Sequence, residues 1–262
     1  MLLAVDIGNT NTVFAVYKGS TLVNSWRCRT VAVRTADEYS AFLGGLFVQA
    51  DIAWKKLDDV IICSVVPAAN FHIKEFCQKY LGKKPLMVTK AMVDLTIDLD
   101  RPDEVGADRL VNAVAVVEHY KIPAIVIDFG TATTFDVIDH KGRYAGGAIA
   151  PGVNLSVSAL HQAAAQLPSI SIKKPARATG KNTVEAMQSG VYWGYVGLIE
   201  GIIKQISAEM GRKPFVLATG GLAPLFADST PIIKAVDDEL TLKGLLKIYL
   251  DRKNNKKKKK NK

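Results

Sequence analysis

The chain has 262 residues, 48% of them hydrophobic and 23% charged, which fits one or two folded domains and excludes a disordered or fibrous protein. Its net charge of +9 is local, because residues 252–262 hold eight of the 34 Lys and Arg and no acid; the rest of the chain carries 26 bases (34 − 8) against 25 acids. A nearly neutral body argues against nucleic acid as the partner, and no apolar run approaches the roughly 18 residues that span a bilayer.

Strands are predicted at 2–6, 12–18 and 21–28, then a helix at 36–50. The short apolar start has no basic segment before it, so a cytoplasmic location is the expectation. A strand at 59–65, a helix at 68–80 and a short strand at 86–89 follow. The helix at 104–120 puts Ala107, Leu110, Val111, Val114 and Val117 on one face. The second half repeats the plan, with strands at 124–128, 133–139 and 143–149 and a break at Pro151-Gly152. A helix at 154–165, a loop at 168–181 and helical segments interrupted by glycines at 183–210 come next. A strand at 215–218 and a last helix at 239–250 close the pattern. The lysine-rich end has no apolar surface to bury and is expected to be disordered. Two α/β domains are therefore expected, at 1–118 and 119–250, followed by a disordered tail at 251–262. Cys28, Cys63 and Cys77 are odd in number and form no CxxC pair, so neither a zinc site nor a disulfide framework is indicated. Cys63, inside an apolar strand, is expected to be buried.

The chemistry begins at a signature that occurs twice. Asp6-Ile7-Gly8-Asn9-Thr10-Asn11-Thr12 and Asp128-Phe129-Gly130-Thr131-Ala132-Thr133-Thr134 each follow an apolar run and enter another strand, and the two Asp residues are 122 positions apart (128 − 6). This points to two related halves facing each other across a cleft. Gly8 permits positive φ and close approach of a ligand, and Asn9 to Thr12 supply N–H groups and short polar side chains that can cradle phosphate oxygens. Asp6 repels phosphate, so its useful role is to hold a hydrated Mg²⁺. Asp128 can bind a cation, and Thr131 can donate to a phosphate. GxxxxGK[ST] and GxGxxG are both absent.

Gly106-Ala107-Asp108-Arg109 opens the helix before the midpoint. Arg109 can clamp a carboxylate or phosphate, and Asp108 can accept a proton from a substrate hydroxyl. The helix N-terminus should lower its pKa and keep it ionised. An ordinary first-turn acid with a surface ion pair is the competing reading. Gly180-Lys181-Asn182-Thr183 can cap the following helix through Asn182 or Thr183, or bind a hydroxylated or anionic ligand. Thr219-Gly220-Gly221, after a strand, can lie against a nucleotide or be a plain turn. His72, His119, His140 and His161 are scattered and receive no catalytic role.

DIGNTNT (6–12), EVGADR (104–109), DFGTATTFD (128–136), YAGGAIAPG (144–152), GKNT (180–183), AMQSG (186–190) and TGG (219–221) together resemble the type III pantothenate kinases, of the actin, Hsp70 and sugar-kinase superfamily. The resemblance covers residues 1–250. It implies two ribonuclease-H-like (actin-like ATPase) domains with mixed sheets flanked by helices and a nucleotide cleft between them. It also implies ATP-dependent phosphorylation of the terminal hydroxyl of pantothenate, the first step of coenzyme A synthesis. Carried onto this chain, Asp6, Ile7, Gly8, Asn9, Thr10, Asn11, Thr12, Val13 and Thr131 bind ATP. Gly106, Ala107, Asp108, Arg109 and Thr183 bind pantothenate, with Asp108 as proton acceptor. Asp128 binds K⁺ or NH₄⁺, required beside Mg²⁺. The resemblance further implies a cytoplasmic homodimer that binds neither membrane nor nucleic acid. Many members carry a Tyr seven residues before the Gly of GADR, where this chain has Leu99. Two alternatives are a kinase for another small hydroxylated acid and a transcriptional accessory protein of the same fold.

Overall fold

A computed structural model describes residues 1–164 and 167–260. In chain order the elements are β1 (Leu2–Ile7), β2 (Asn11–Lys18), β3 (Thr21–Arg29), α1 (Ala36–Gln49), β4 (Asp59–Ser64), α2 (Asn70–Leu81), β5 (Leu86–Met87) and α3 (Ala107–His119). They continue with β6 (Ala124–Phe129), β7 (Ala132–Ile138), β8 (Tyr144–Pro151), α4 (Val153–Ala163), α5 (Thr183–Glu209), β9 (Phe215–Thr219), α6 (Ala223–Ala227), β10 (Ala235–Val236) and α7 (Leu240–Lys260). Two compact units result. The first takes Met1–Asp94, Arg101–Glu118 and the chain from Leu240; the second takes Leu95–Asp100 and His119–Glu239.

In the first unit a five-stranded sheet runs in the order β3-β2-β1-β4-β5. β1 to β3 are antiparallel, whereas β4 lies parallel to β1 and β5 parallel to β4. β1 is central and reads as an apolar run as far as Asp6 because both of its faces are covered. Leu3, Val5 and Ile7 meet Tyr39, Leu43 and Phe47 of α1 and Ile73 and Phe76 of α2. Leu2 and Ala4, pointing the other way, meet Val111 and Val114 of α3 and Leu242, Leu245 and Leu246 of α7. α1 starts on a capping box, in which Thr35 Oγ1 accepts from Glu38 N while Glu38 Oε2 accepts from Thr35 N.

The second unit repeats the topology strand for strand, in the order β10-β9-β6-β7-β8. β6 to β8 are antiparallel, and β9 and β10 are parallel to their neighbours. Ile125, Ile127 and Phe129 pack on Tyr192, Val196, Ile199 and Ile203 of α5 and Phe226 of α6. The segment Leu95–Asp100 lies along the outer edge of β8, with Asp98 N donating to Tyr144 O and Tyr144 N donating to Thr96 O.

The structure corrects several expectations. α7 belongs with the first unit rather than the second, because its leucines cover the open face of β1 and β4. α7 extends as far as Lys260, and residues 261 and 262 lie outside the described ones. α5 is continuous. Gly190, Gly194, Gly197 and Gly201 lie on its exposed side while the apolar side is anchored in the core, so their weak propensity is overridden. The helix expected from 68 begins as a short 3₁₀ turn at Pro67–Ala69 before α2. Val117 is 41% exposed and leaves the expected stripe of α3, which instead buries Leu110 through Val116 almost all round.

Candidate active site

The first turn joins β1 to β2. Asp6 pairs with Val13 and Ile7 with Thr12, so Asp6 sits one residue from the end of its strand, half-buried. Gly8 N donates to Asn11 O at 3.0 Å, and Asn9, Thr10 and Asn11 are exposed. The end of β3 holds the turn from behind. Thr30 N donates to Thr10 O at 2.9 Å, Thr30 Oγ1 donates to Gly8 O at 2.7 Å, and the hydroxyls of Thr30 and buried Thr12 are 2.9 Å apart. Gly8 is not among the residues of positive φ, contrary to expectation. Room there is tight, since a Cβ would meet Asn11 O at 3.3 Å. Thr30 carried no signal in the sequence, since its role depends on strand register.

The second turn joins β6 to β7 and is one residue tighter. Asp128 pairs with Thr134 and Phe129 with Thr133, and Gly130 N donates to Ala132 O at 3.1 Å. Here the clamps are glycines. Gly152 N donates to Thr131 O at 3.1 Å, and a Cβ on Gly152 would meet Gly130 O at 2.8 Å. Gly220, at φ +91°, packs so tightly that a Cβ would stand 2.7 Å from Phe129 O. The TGG stretch is thus a backbone partner of the turn, with Thr219 in register with Asp128. Asp128 is half-buried and Thr131 is exposed.

The Gly106–Arg109 turn begins α3. Asp108 Oδ1 accepts from Arg109 N at 2.8 Å, and the carboxylate folds back so that a Cβ on Gly106 would meet Oδ1 at 2.5 Å. A side chain at position 106 would therefore push the Asp108 carboxylate out of this position. Both Asp108 and Arg109 are half-buried rather than on an open surface. The expected lowering of the Asp108 pKa is overturned. Burial raises it, and the Arg109 N–H bond and guanidinium charge offset this only in part. A raised pKa makes Asp108 a better proton acceptor than a first-turn surface acid.

Within the first unit, β1 pairs with β4 so that Asp6 faces Cys63 in register. The buried Cys63 thiol is pushed up, chiefly by burial and then by the charges of Asp6 and Asp108. The Asp6 turn and the Asp108 carboxylate are therefore neighbours there. Asp128, Thr131 and Thr183 belong to the second unit. Asn182, not Thr183, caps α5 by accepting from Glu185 N at 2.9 Å; this leaves exposed Thr183 at the first helical position. Gly180 is required beside this cap, where a Cβ would meet Glu185 C at 2.6 Å. Among the described residues no three His, Cys, Asp or Glu gather as a metal cluster. The carboxylates beside the two turns suit cations held jointly with phosphate oxygens, as Mg²⁺ is in phosphoryl-transfer sites.

The fold has known counterparts. It matches a solved structure described as a conserved Baf-family transcriptional activator from Campylobacter jejuni, at TM-score 0.61 and 20% identity over 96% of this chain and 99% of that one. It matches the inorganic polyphosphate/ATP-glucomannokinase of Arthrobacter sp. strain KM, at TM-score 0.51 and 13% identity over 95% and 98%. Identities this low speak for the fold alone, two ribonuclease-H-like domains of the sugar-kinase type. Sequence speaks further. A type III pantothenate kinase from Paramagnetospirillum magneticum is 57% identical over 251 residues, 95% of this chain and 96% of its own. The family model for type III pantothenate kinase matches residues 2–205, which include Asp6, the Gly106–Arg109 turn, Asp128, Thr131 and Thr183, and the chain belongs to that family.

Proposed function

We propose that the chain transfers the γ-phosphoryl group of ATP to the terminal hydroxyl of pantothenate, the first step of coenzyme A synthesis. The observation that carries the mechanism is the Asp108 carboxylate, half-buried, folded against Gly106 and raised in pKa beside the Asp6 turn. Asp108 orients the pantothenate hydroxyl and accepts its proton as the bond to phosphorus forms. In a loose transition state orientation matters more than early deprotonation, so a moderately basic carboxylate suffices. Arg109 pairs with the pantothenate carboxylate, and Gly106, Ala107 and Thr183 complete its contacts. Asp6 to Val13 and Thr131 hold ATP, using the N–H groups of turns kept rigid by Thr30 in one unit and by Gly152 and Gly220 in the other.

Asp6 would hold Mg²⁺ through water, and Asp128 would hold K⁺ or NH₄⁺; both ions would neutralise charge on the phosphates. The family resemblance supports a cytoplasmic homodimer as the working form, and the nearly neutral body gives no reason to add nucleic acid as a partner.

The test is ADP formation by purified protein in K⁺/Mg²⁺ buffer with and without pantothenate, with Asp108→Asn as the control. Pantothenate-dependent turnover that vanishes in the variant is the expected result. ATP binding without pantothenate-dependent turnover would move the acceptor to another small hydroxylated acid.

A further inference from the structure

The face of the second sheet that carries Asp128 also carries a buried acid that the mechanism above leaves without a task. Asp136 on β7 is fully buried, and it takes two hydroxyl donors. Tyr144 Oη donates to its Oδ1 at 2.7 Å and Thr134 Oγ1 to its Oδ2 at 3.1 Å. Thr134 is the cross-strand partner of Asp128, so their side chains share a face. Asp136, two residues on, shares that face as well. A buried carboxylate in the middle of a sheet is costly and is kept where its hydrogen bonds serve a purpose.

The consequence lies in the direction of the Thr134 hydroxyl. A threonine hydroxyl has one proton and two lone pairs. With the proton committed to Asp136, the oxygen turns lone pairs, not a donor, toward its neighbours. We infer that Thr134 is a neutral oxygen ligand for the monovalent cation at Asp128, and that Asp136 is the positioning residue that fixes its hydroxyl for that task. The inference rests on the cation assignment made under Proposed function. A carboxylate joined by a hydroxyl oxygen is a donor set suited to a hard, weakly charged cation.

The test is thermal unfolding of the full chain with Mg²⁺ and a non-hydrolysable ATP analogue, titrated with KCl or NaCl at constant ionic strength. Wild type is expected to gain Tm with K⁺ and not with Na⁺. Thr134→Val should raise the apparent K⁺ dissociation constant about 10-fold or more, the usual cost of losing such a partner. Thr134→Ser, which keeps the hydroxyl, should restore it. Asp136→Asn can donate its amide to Thr134 and turn the hydroxyl proton outward, so it should weaken K⁺ while leaving affinity for the ATP analogue unchanged. An unchanged K⁺ response in folded Thr134→Val overturns the inference and leaves the Asp128 assignment standing. A wild type that does not distinguish K⁺ from Na⁺, like its Asp128→Asn variant, overturns both.

Discussion

The two sheets have the same strand order, yet their turns are held in opposite ways. In the first unit side-chain hydroxyls clamp the turn, through Thr30 to Gly8 and Thr12. In the second unit backbone presses on backbone at Gly152 and Gly220, and no side chain would fit. The first turn is one residue longer, with Asp6 seven positions from its partner Val13 and Asp128 six from Thr134. The far faces of the sheets differ too. Beside the Asp that each face carries, Asp6 or Asp128, the first face is apolar at Leu2, Ala4 and Ile61 and covered by α7, whereas the second adds Thr134 and Asp136 with Tyr144. The two units share a hydrogen-bonded frame and differ in what surrounds their turns. The first has the Asp108 carboxylate near its turn, and the second has the hydrogen bonds of Thr134 and Tyr144 to Asp136 near its own.

The sharpest way to test that division is to remove the proposed proton acceptor, Asp108, from the first unit. Asp108→Asn should lower turnover by about 10²–10⁴-fold, the range of general-base catalysis, with ATP affinity largely unchanged. Stability should move the other way. Burial raises the Asp108 pKa in the fold, so the cost to stability is absent below the ordinary carboxylate value, grows from there to the raised value and is full above it. The asparagine keeps an oxygen for Arg109 N and removes the charge. Its Tm at neutral pH should therefore equal or exceed that of wild type, and any advantage should fade in acid. Melting curves across pH check the sign, and a variant destabilised at neutral pH would mean that the carboxylate is a structural anchor.

The clamps come next in size. Gly220→Ala forces a Cβ onto Phe129 at a φ that side chains disfavour, so it should destabilise by about 3 kcal/mol and depress turnover with it. Thr30→Val removes hydroxyl bonds that water can partly replace, so it should cost about 1–2 kcal/mol and act mainly through a higher KM for ATP. Equal losses in the two variants, measured by denaturant unfolding, would erase the contrast between the clamps.

Much of this arrangement was legible beforehand because it is local. Strand-turn-strand with Asp at the end of the first strand is written within seven residues, and it occurs twice; the structure carries each strand one residue further, to Ile7 and Phe129. GADR announced a charged helix start, and the buried Cys63 followed from its apolar strand. What escaped depends on residues far apart in sequence. No local pattern says that α7 returns to the first sheet, that Thr30 reaches Gly8, or that one turn is a residue shorter once register is counted. The direction of the Asp108 pKa escaped for the same reason. The helix N-terminus is visible in sequence, whereas the burial that outweighs it is tertiary.

The smallest effect is expected at the lysine-rich end, and it separates the two roles of α7. Its apolar residues Leu242, Leu245, Leu246 and Ile248 cover the first sheet, and Gly244 lets it approach so closely that a Cβ would stand 2.7 Å from Val111 Cγ1. Two polar ties secure the next turn: Tyr249 Oη donates to Asp59 at 2.5 Å, and Lys247 bridges Glu118 and Asp251 at 3.0 Å each. Beyond Asp251 the described contacts dwindle to Lys253, whose Nζ lies 3.5 Å from Tyr249 Oη. Deleting residues 252–262 should therefore leave kcat, KM and, within about 0.5 kcal/mol, stability unchanged. Deleting from Leu240 should expose the leucine-covered face of β1 and β4 and unfold the first unit. If the short deletion impaired turnover without lowering Tm, the basic end would carry a function of its own, and α7 would serve the first unit as more than a cover.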